Sequence, residues 1–165
     1  MTDHVARLIG VMHTLRSGCP WDAEQTHRSL VRYLVEETCE VIDAIESGDD
    51  ADLAEELGDL LLQVVFHAEI AAETGRFDLQ DVAARIAEKL IARHPYVFAE
   101  AEVPGDLVGS WEQRKAVEKD RSSALEGIPS RLSALSRAHK VIVRARSHGL
   151  PSEQLGLAAA DVAPD

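Results

Sequence analysis

A chain of 165 residues with 45% hydrophobic content can bury one real core but not two. No apolar stretch in it reaches the roughly 20 residues a membrane span needs, and the acidic-polar opening Met1-Thr2-Asp3-His4 is unlike a basic leader running into an apolar segment. The net charge of −12 is uneven: residues 1–126 hold 26 acids against 12 Lys plus Arg, while residues 127–152 hold five Lys or Arg and no acid. An acidic body disfavours sequence-independent binding to nucleic acid, whose affinity comes from cations neutralising phosphates. Cys19 and Cys39 lack the spacing of a disulfide framework or zinc site, so the chain is expected to stay in the reducing cytoplasm.

Apolar residues recur at helical spacing and period-two alternation is scarce, which predicts an all-α fold. A first helix is expected over residues 3–16, stopped by Ser17-Gly18, with Cys19-Pro20-Trp21-Asp22 as a loop. A second, over 27–47, places Leu30, Leu34, Val41 and Ile45 on one side and stops at Gly48. The link Gly48-Asp49-Asp50 is short, so a third helix over 51–74 makes an antiparallel hairpin with the second and ends at Gly75. Asp78 caps a fourth helix that ends at His94 before Pro95. Ser110-Trp111-Glu112-Gln113 reads as a capping box opening a fifth helix to about residue 121, and Ser130 caps a sixth that runs to His148. Residues 1–150 then form one domain and the Ala-rich residues 151–165 a frayed tail.

Residues 33–75 carry thirteen Asp or Glu and no Lys or Arg, so local ion pairing cannot neutralise them. Residues three or four apart share a helix face, which pairs Glu37 with Glu40 on the second helix and Glu56 with Asp59 on the third. At about 1.5 Å of rise per residue, the hairpin brings the four carboxylates within roughly one or two turns of the same level. The run Leu60-Leu61-Leu62-Gln63-Val64-Val65-Phe66 behind Asp59 predicts that the site is partly buried. Like charges so placed must protonate, pair or bind a cation. Oxygen-only ligands suit Mg²⁺, with Mn²⁺ as a substitute. A di-iron bundle competes, but it normally uses two Glu-x-x-His motifs, and here there is one, Glu24 to His27, outside the carboxylate set.

The ordered set of residues resembles the MazG-type all-α nucleoside triphosphate pyrophosphohydrolases. The resemblance is carried by Glu36-Glu37-x-x-Glu40 followed by Glu56-x-x-Asp59, with Cys19-Pro20-Trp21-Asp22, Gln25-Thr26, Phe66-His67, Gly75-Arg76-Phe77, Arg93-His94-Pro95-x-Val97-Phe98 and Trp111-Glu112 around them. It covers most of residues 5–150, and longer relatives carry a second module for which residues 130–150 resemble only the approach. The resemblance implies Glu37, Glu40, Glu56 and Asp59 as Mg²⁺ ligands, and Glu36 as a neighbouring catalytic carboxylate that holds or activates the attacking water. It implies Lys89 and Arg93, an i to i+4 pair, as contacts to the triphosphate, and Trp111 with Lys115 as further nucleotide contacts. It implies hydrolysis of NTPs or dNTPs to a nucleoside monophosphate and pyrophosphate, as housecleaning of the nucleotide pool, by a helical bundle completed in a homodimer or higher oligomer.

A different class of reading is a helical sensor that binds nucleotide and metal without turnover, with Arg131, Arg137, Lys140, Arg144 and Arg146 as a basic docking surface. Trp21 and Trp111 are able to stack on a base, which leaves base preference open because every base offers a π-face.

Overall fold

The computed structural model describes residues 3–118 and 126–147, and among them there are helices and no strand. Among the described residues eight helices follow one another: α1 His4–Gly18, α2 Pro20–Glu24, α3 Val31–Ser47, α4 Asp50–Ala72, α5 Leu79–Arg93, α6 Pro95–Phe98, α7 Leu107–Glu118 and α8 Ala134–Ser147. The expected all-α fold with a central helix hairpin is what the chain adopts. None of the described helices is long and apolar enough to cross a membrane. The chain divides into two compact units, Met1–Lys89 and Leu90–Asp165, with the division inside α5.

In the first unit α3 and α4 pack along each other as the hairpin, and α1 packs on both α2 and α4. Gly48 makes the turn possible: it closes α3 in the left-handed region at φ 75°, which a side chain would resist, and Asp49 then caps α4 by accepting from the amides of Ala51 and Asp52. The core gathers at one end of the hairpin, where Met12 of α1, Leu30, and Val65, Phe66 and Ile70 of α4 bury one another, with Leu8, Ile9, Tyr33, Leu62 and Leu79 packed around them. Each such side chain contributes about 1.5–3 kcal/mol on burial.

One arginine organises the α1–α2–α4 contact. Arg16 donates through Nε and Nη2 to the two carboxylate oxygens of Glu73, both at 2.6 Å, while its Nη1 donates to the carbonyls of Asp22, Ala23 and Gln25. The Asp22 carbonyl also accepts from the Gln25 amide, and the guanidinium adds a donor at this end of α2, where a short helix runs out of its own amides. Three helices thus meet on one guanidinium. His13, one turn before it, lies 2.6 Å from Glu69, one turn before Glu73, as a second rung between α1 and α4.

Several boundaries differ from expectation. The segment from Pro20 is a short helix, because a proline at the first helical position has its φ already set and needs no amide partner. Helix α3 begins at Val31 and not at 27; residues 26–29 instead form a turn in which Thr26 and Ser29 exchange side-chain-to-backbone hydrogen bonds. Asp78 and Asp81 each accept from the other's amide at the start of α5, and Pro95 opens the short α6 where a plain stop was expected.

In the second unit α7 packs on α8. Helix α7 begins at Leu107 and not at Ser110, since the Asp106 carboxylate accepts from the Gly109 amide and caps it first. Helix α8 begins at Ala134, capped by Ser133 and not by Ser130, with the Ser133 hydroxyl accepting from the Ser136 amide. The expected ends of these two helices, near 121 and at His148, and the tail 151–165 lie outside the described residues. Arg144 is buried and donates to the Glu126 carbonyl, so it is no part of an exposed basic surface, whereas Arg131 and Arg137 are exposed.

Candidate functional site

Three of the expected ligands converge. Glu37 of α3 and Glu56 and Asp59 of α4 each offer a carboxylate oxygen, and the three oxygens lie within 4.8 Å of one another. The spacing follows from the hairpin: Glu56 and Asp59, three residues apart, sit on one face of α4, and α3 brings Glu37 to the same level. Oxygens this close can take adjacent positions around one cation at ligand distances near 2.1 Å with only side-chain adjustment.

The electrostatics fit a missing positive charge. Partial burial raises the Glu37 carboxyl above its ordinary 4.5, helped by repulsion from Asp59 and Glu40 and by a hydrogen bond with Glu40 that favours the proton. Glu56 is raised as well, first by desolvation and then by Glu40, Asp59, Glu55 and Asp52. A divalent cation between the carboxylates would reverse each repulsive contribution. The donor set is all oxygen and suits a hard cation. His27, the histidine of the lone Glu-x-x-His motif, stands in contact with His67 and Arg76 and is not in this group.

Glu40 is not among the three. It lies beside them, lining with Asp43, Ala44, Ser47, Asp52 and Glu56 an acidic cleft of about 250 Å³ on the side of Glu56 away from the core. Asp43 and Asp52 were not singled out in the sequence; their spacing of three from Glu40 and four from Glu56 is the signal that could have found them. Glu36 is exposed on α3 and stands outside the trio, on the face it shares with Glu40.

The partial burial expected of the site holds for two of the three ligands. Asp59 is exposed, and Glu37 and Glu56 are half-buried. Of the run that promised burial, Val65 and Phe66 are buried and Leu60 and Leu62 half-buried, while Leu61 and Val64 are exposed, as are Leu57 of α4 and Val35, Ile42 and Ile45 of α3. Of the four residues expected on one side of this helix, Leu30 and Val41 are buried, whereas Leu34 and Ile45 are exposed, Ile45 by 59%.

The expected nucleotide contacts fall in two places. Lys89 is half-buried and lines a groove of about 270 Å³ with Phe77, Asp81, Val82, Arg85 and Ile86, all in the first unit. In the second unit Arg93 is buried and donates to Glu118 through Nε at 2.8 Å and Nη2 at 2.7 Å, with its guanidinium 5.0 Å from the centre of the Trp111 ring. Trp111 also meets His94, ring centres 5.0 Å apart. Arg93 therefore already holds a carboxylate, and a phosphate at that position would have to displace Glu118. Lys115 lies on α7, with its side chain outside the described residues.

Comparison with known proteins agrees with the geometry. Residues 25–98, which contain all three converging carboxylates, match the MazG nucleotide pyrophosphohydrolase domain. The chain is 47% identical to a nucleoside triphosphate pyrophosphohydrolase of Escherichia coli, over 93% of this chain and 62% of that protein. It is 49% identical to a nucleoside triphosphate pyrophosphohydrolase/pyrophosphatase MazG of Thermotoga maritima, over 81% of this chain and 53% of that protein. A third relative, a nucleoside triphosphate pyrophosphohydrolase of Mycobacterium tuberculosis, is 46% identical over 87% of this chain and 45% of its own. The chain thus spans less than two thirds of the length of these relatives. With a paired-helix carboxylate cluster inside the matched segment, and near 47% identity running through most of the chain, the protein belongs to the MazG family.

Proposed function

We propose that this chain is a Mg²⁺-dependent hydrolase that converts nucleoside or deoxynucleoside triphosphates to the monophosphate and pyrophosphate, and that it works in the cytoplasm to clear the nucleotide pool. The observation that carries the proposal is the trio of carboxylate oxygens within 4.8 Å, contributed by the two helices of the hairpin. Glu37, Glu56 and Asp59 hold the metal, with Mn²⁺ as a substitute, and Glu40 joins them by a side-chain rotation. The bound metal supplies charge neutralisation for the phosphates and makes water more acidic. The oxygen of water bonds to the α-phosphorus, the bond to the β-phosphate oxygen breaks, and the pyrophosphate leaves. Glu36, not used as a ligand, takes the proton of the attacking water. Lys89 contacts the departing phosphates; Arg93 adds to it once it exchanges Glu118 for phosphate, and Trp111 and Lys115 contact the nucleotide.

The active form is a homodimer or higher homo-oligomer. Supporting this, Val35, Ile42 and Ile45 of α3 and Leu57, Leu61 and Val64 of α4 expose apolar surface along the helices that carry the acids, and a second copy of the chain would cover it.

A panel of nucleoside triphosphates with Mg²⁺, resolved by chromatography, tests the reaction. Pyrophosphate should be the first product, and in oxygen-18 water the label should enter the monophosphate alone. Orthophosphate as the initial product, or label in pyrophosphate, would overturn the proposal; light scattering at a monomer mass would overturn the assembly.

A further inference from the structure

Away from the acidic cluster, His27 in the connector before α3 meets His67 of α4 with their Nδ1 atoms 2.8 Å apart. The ring centres are 5.1 Å apart and the planes differ by only 14°. The two rings are nearly parallel but not stacked: the centroid separation exceeds the nitrogen separation by about the width of one imidazole, as it does when rings lie edge to edge in a common plane. That is the geometry of a nitrogen-to-nitrogen hydrogen bond. At the far side of His27, Nη2 of Arg76, in the turn after α4, lies 2.9 Å from Nε2.

The protons follow from who can donate. A guanidinium only donates, so His27 Nε2 must be the acceptor and His27 carries its proton on Nδ1. That proton is given to Nδ1 of His67, which therefore keeps its own on Nε2. The arrangement has one consistent state, with both imidazoles neutral.

We propose that His27, His67 and Arg76 form a proton-sensitive latch that fastens the connector ahead of α3 to α4 and opens when either imidazole takes up a second proton. A second proton on His27 lands on Nε2, facing the guanidinium; on His67 it lands on Nδ1, facing the N–H of His27. Either replaces a hydrogen bond with two opposed donors and sets positive charges together. Arg76 comes from the turn, and on α4 the nearby Glu69 and Glu73 are committed to His13 and Arg16 of α1. Among the described residues no carboxylate makes an ion pair with the three. Burial and then the neighbouring His27 hold His67 below its ordinary 6.5. The unfolded chain thus takes up the proton first, so the latch's contribution to stability is intact above 6.5 and is lost as the pH falls from there toward the folded value.

What the latch holds is the start of the helix bearing Glu37 and Glu40, because the connector ends at Leu30, a core residue, and α3 begins at the next position. Protonation would loosen the connector ahead of α3 from α4 without touching the carboxylates. The test is long-range proton–nitrogen NMR of the imidazoles in the whole chain across pH 5 to 8, which needs no turnover. His27 should carry its proton on Nδ1 and His67 on Nε2 at neutral pH, with His67 titrating below 6.5. Arg76 is exposed, so Arg76→Ala should leave the fold intact. In that variant His27 can move its proton to Nε2 and accept at Nδ1 from a charged His67, so the His67 midpoint should rise. Mixed tautomers at neutral pH, a His67 midpoint at or above 6.5, or a midpoint that Arg76→Ala leaves unmoved would each overturn the latch.

Discussion

Helix α4 has two halves that obey different rules. From Asp50 to Leu61 it carries Asp52, Glu55, Glu56 and Asp59, and its apolar Leu57 and Leu61 are exposed. From Leu62 to Ala72 it buries Gln63, Val65, Phe66, Ala68, Ile70 and Ala71. One continuous helix thus has a stabilising end, packed against α1, and an acidic end whose like charges oppose the folded state. The difference teaches that the core is concentrated at one end of α4, while the other end gathers like charges and is held by α3, which buries Val41 and Ala44.

The comparison can be broken at the anchored end first. Phe66→Ala should cost about 3–5 kcal/mol, from lost transfer energy and the cavity left behind, as read by chemical denaturation. A cost under about 1 kcal/mol would mean that the core is not where the burial places it.

Glu56→Gln should do the reverse. Turnover should fall on the order of 10²-fold or more, because a charge aimed at the metal is gone, while the metal-free protein melts at the same temperature or higher. Relief of repulsion from Glu40 and Asp59 is the reason for the gain. A loss of stability like that of Phe66→Ala would abolish the distinction between the halves.

Arg16→Ala should cost on the order of 2–3 kcal/mol, as charge-assisted bonds to Glu73 go and the α2 carbonyls lose their donor. Arg16→Lys should not restore it, since one ammonium cannot span Glu73 and the carbonyls together.

The smallest effect is one of sign. Glu37 and Glu56 have raised pKa values, so in chelator-treated protein the acidic end gains stability as pH falls toward 4.5 and loses it as pH rises through the folded values. Glu73, lowered by its hydrogen bond to Arg16, contributes stability that is present above 4.5 and lost as pH falls below it. Melting curves from pH 2.5 to 7 should show Glu37→Gln flattening the first trend and Glu73→Gln the second; both variants changing the same limb would remove the contrast.

What was legible in the sequence was what is local. Gly48 and Gly75 stop helices in the left-handed region, and Glu37, Glu56 and Asp59 sit at helical spacing on a hairpin with a short link. Proline misled at position 20, where it starts a helix, and the hydroxyls of Thr26 and Ser29 draw the backbone into a turn that apolar periodicity does not register. The partners of distant side chains were not legible at all. Arg93 finds Glu118 25 residues away, and His27 finds His67 40 residues away. Burial at Asp59 was overestimated because an apolar run such as the one behind it says which residues avoid water and not whether this chain alone can cover them.

Arg16 also bears on the order in which the molecule comes apart. Helix α2 has five residues, too few to persist in water by themselves, and its carbonyls are held by a side chain that in turn needs Glu73, 57 residues away. Its amide hydrogens should therefore exchange with solvent as one cooperative unit with the contact between α1 and α4, and not by independent fraying. In hydrogen exchange the protection of the amide of Ala23, bonded to the Cys19 carbonyl, would report whether those two helices are docked.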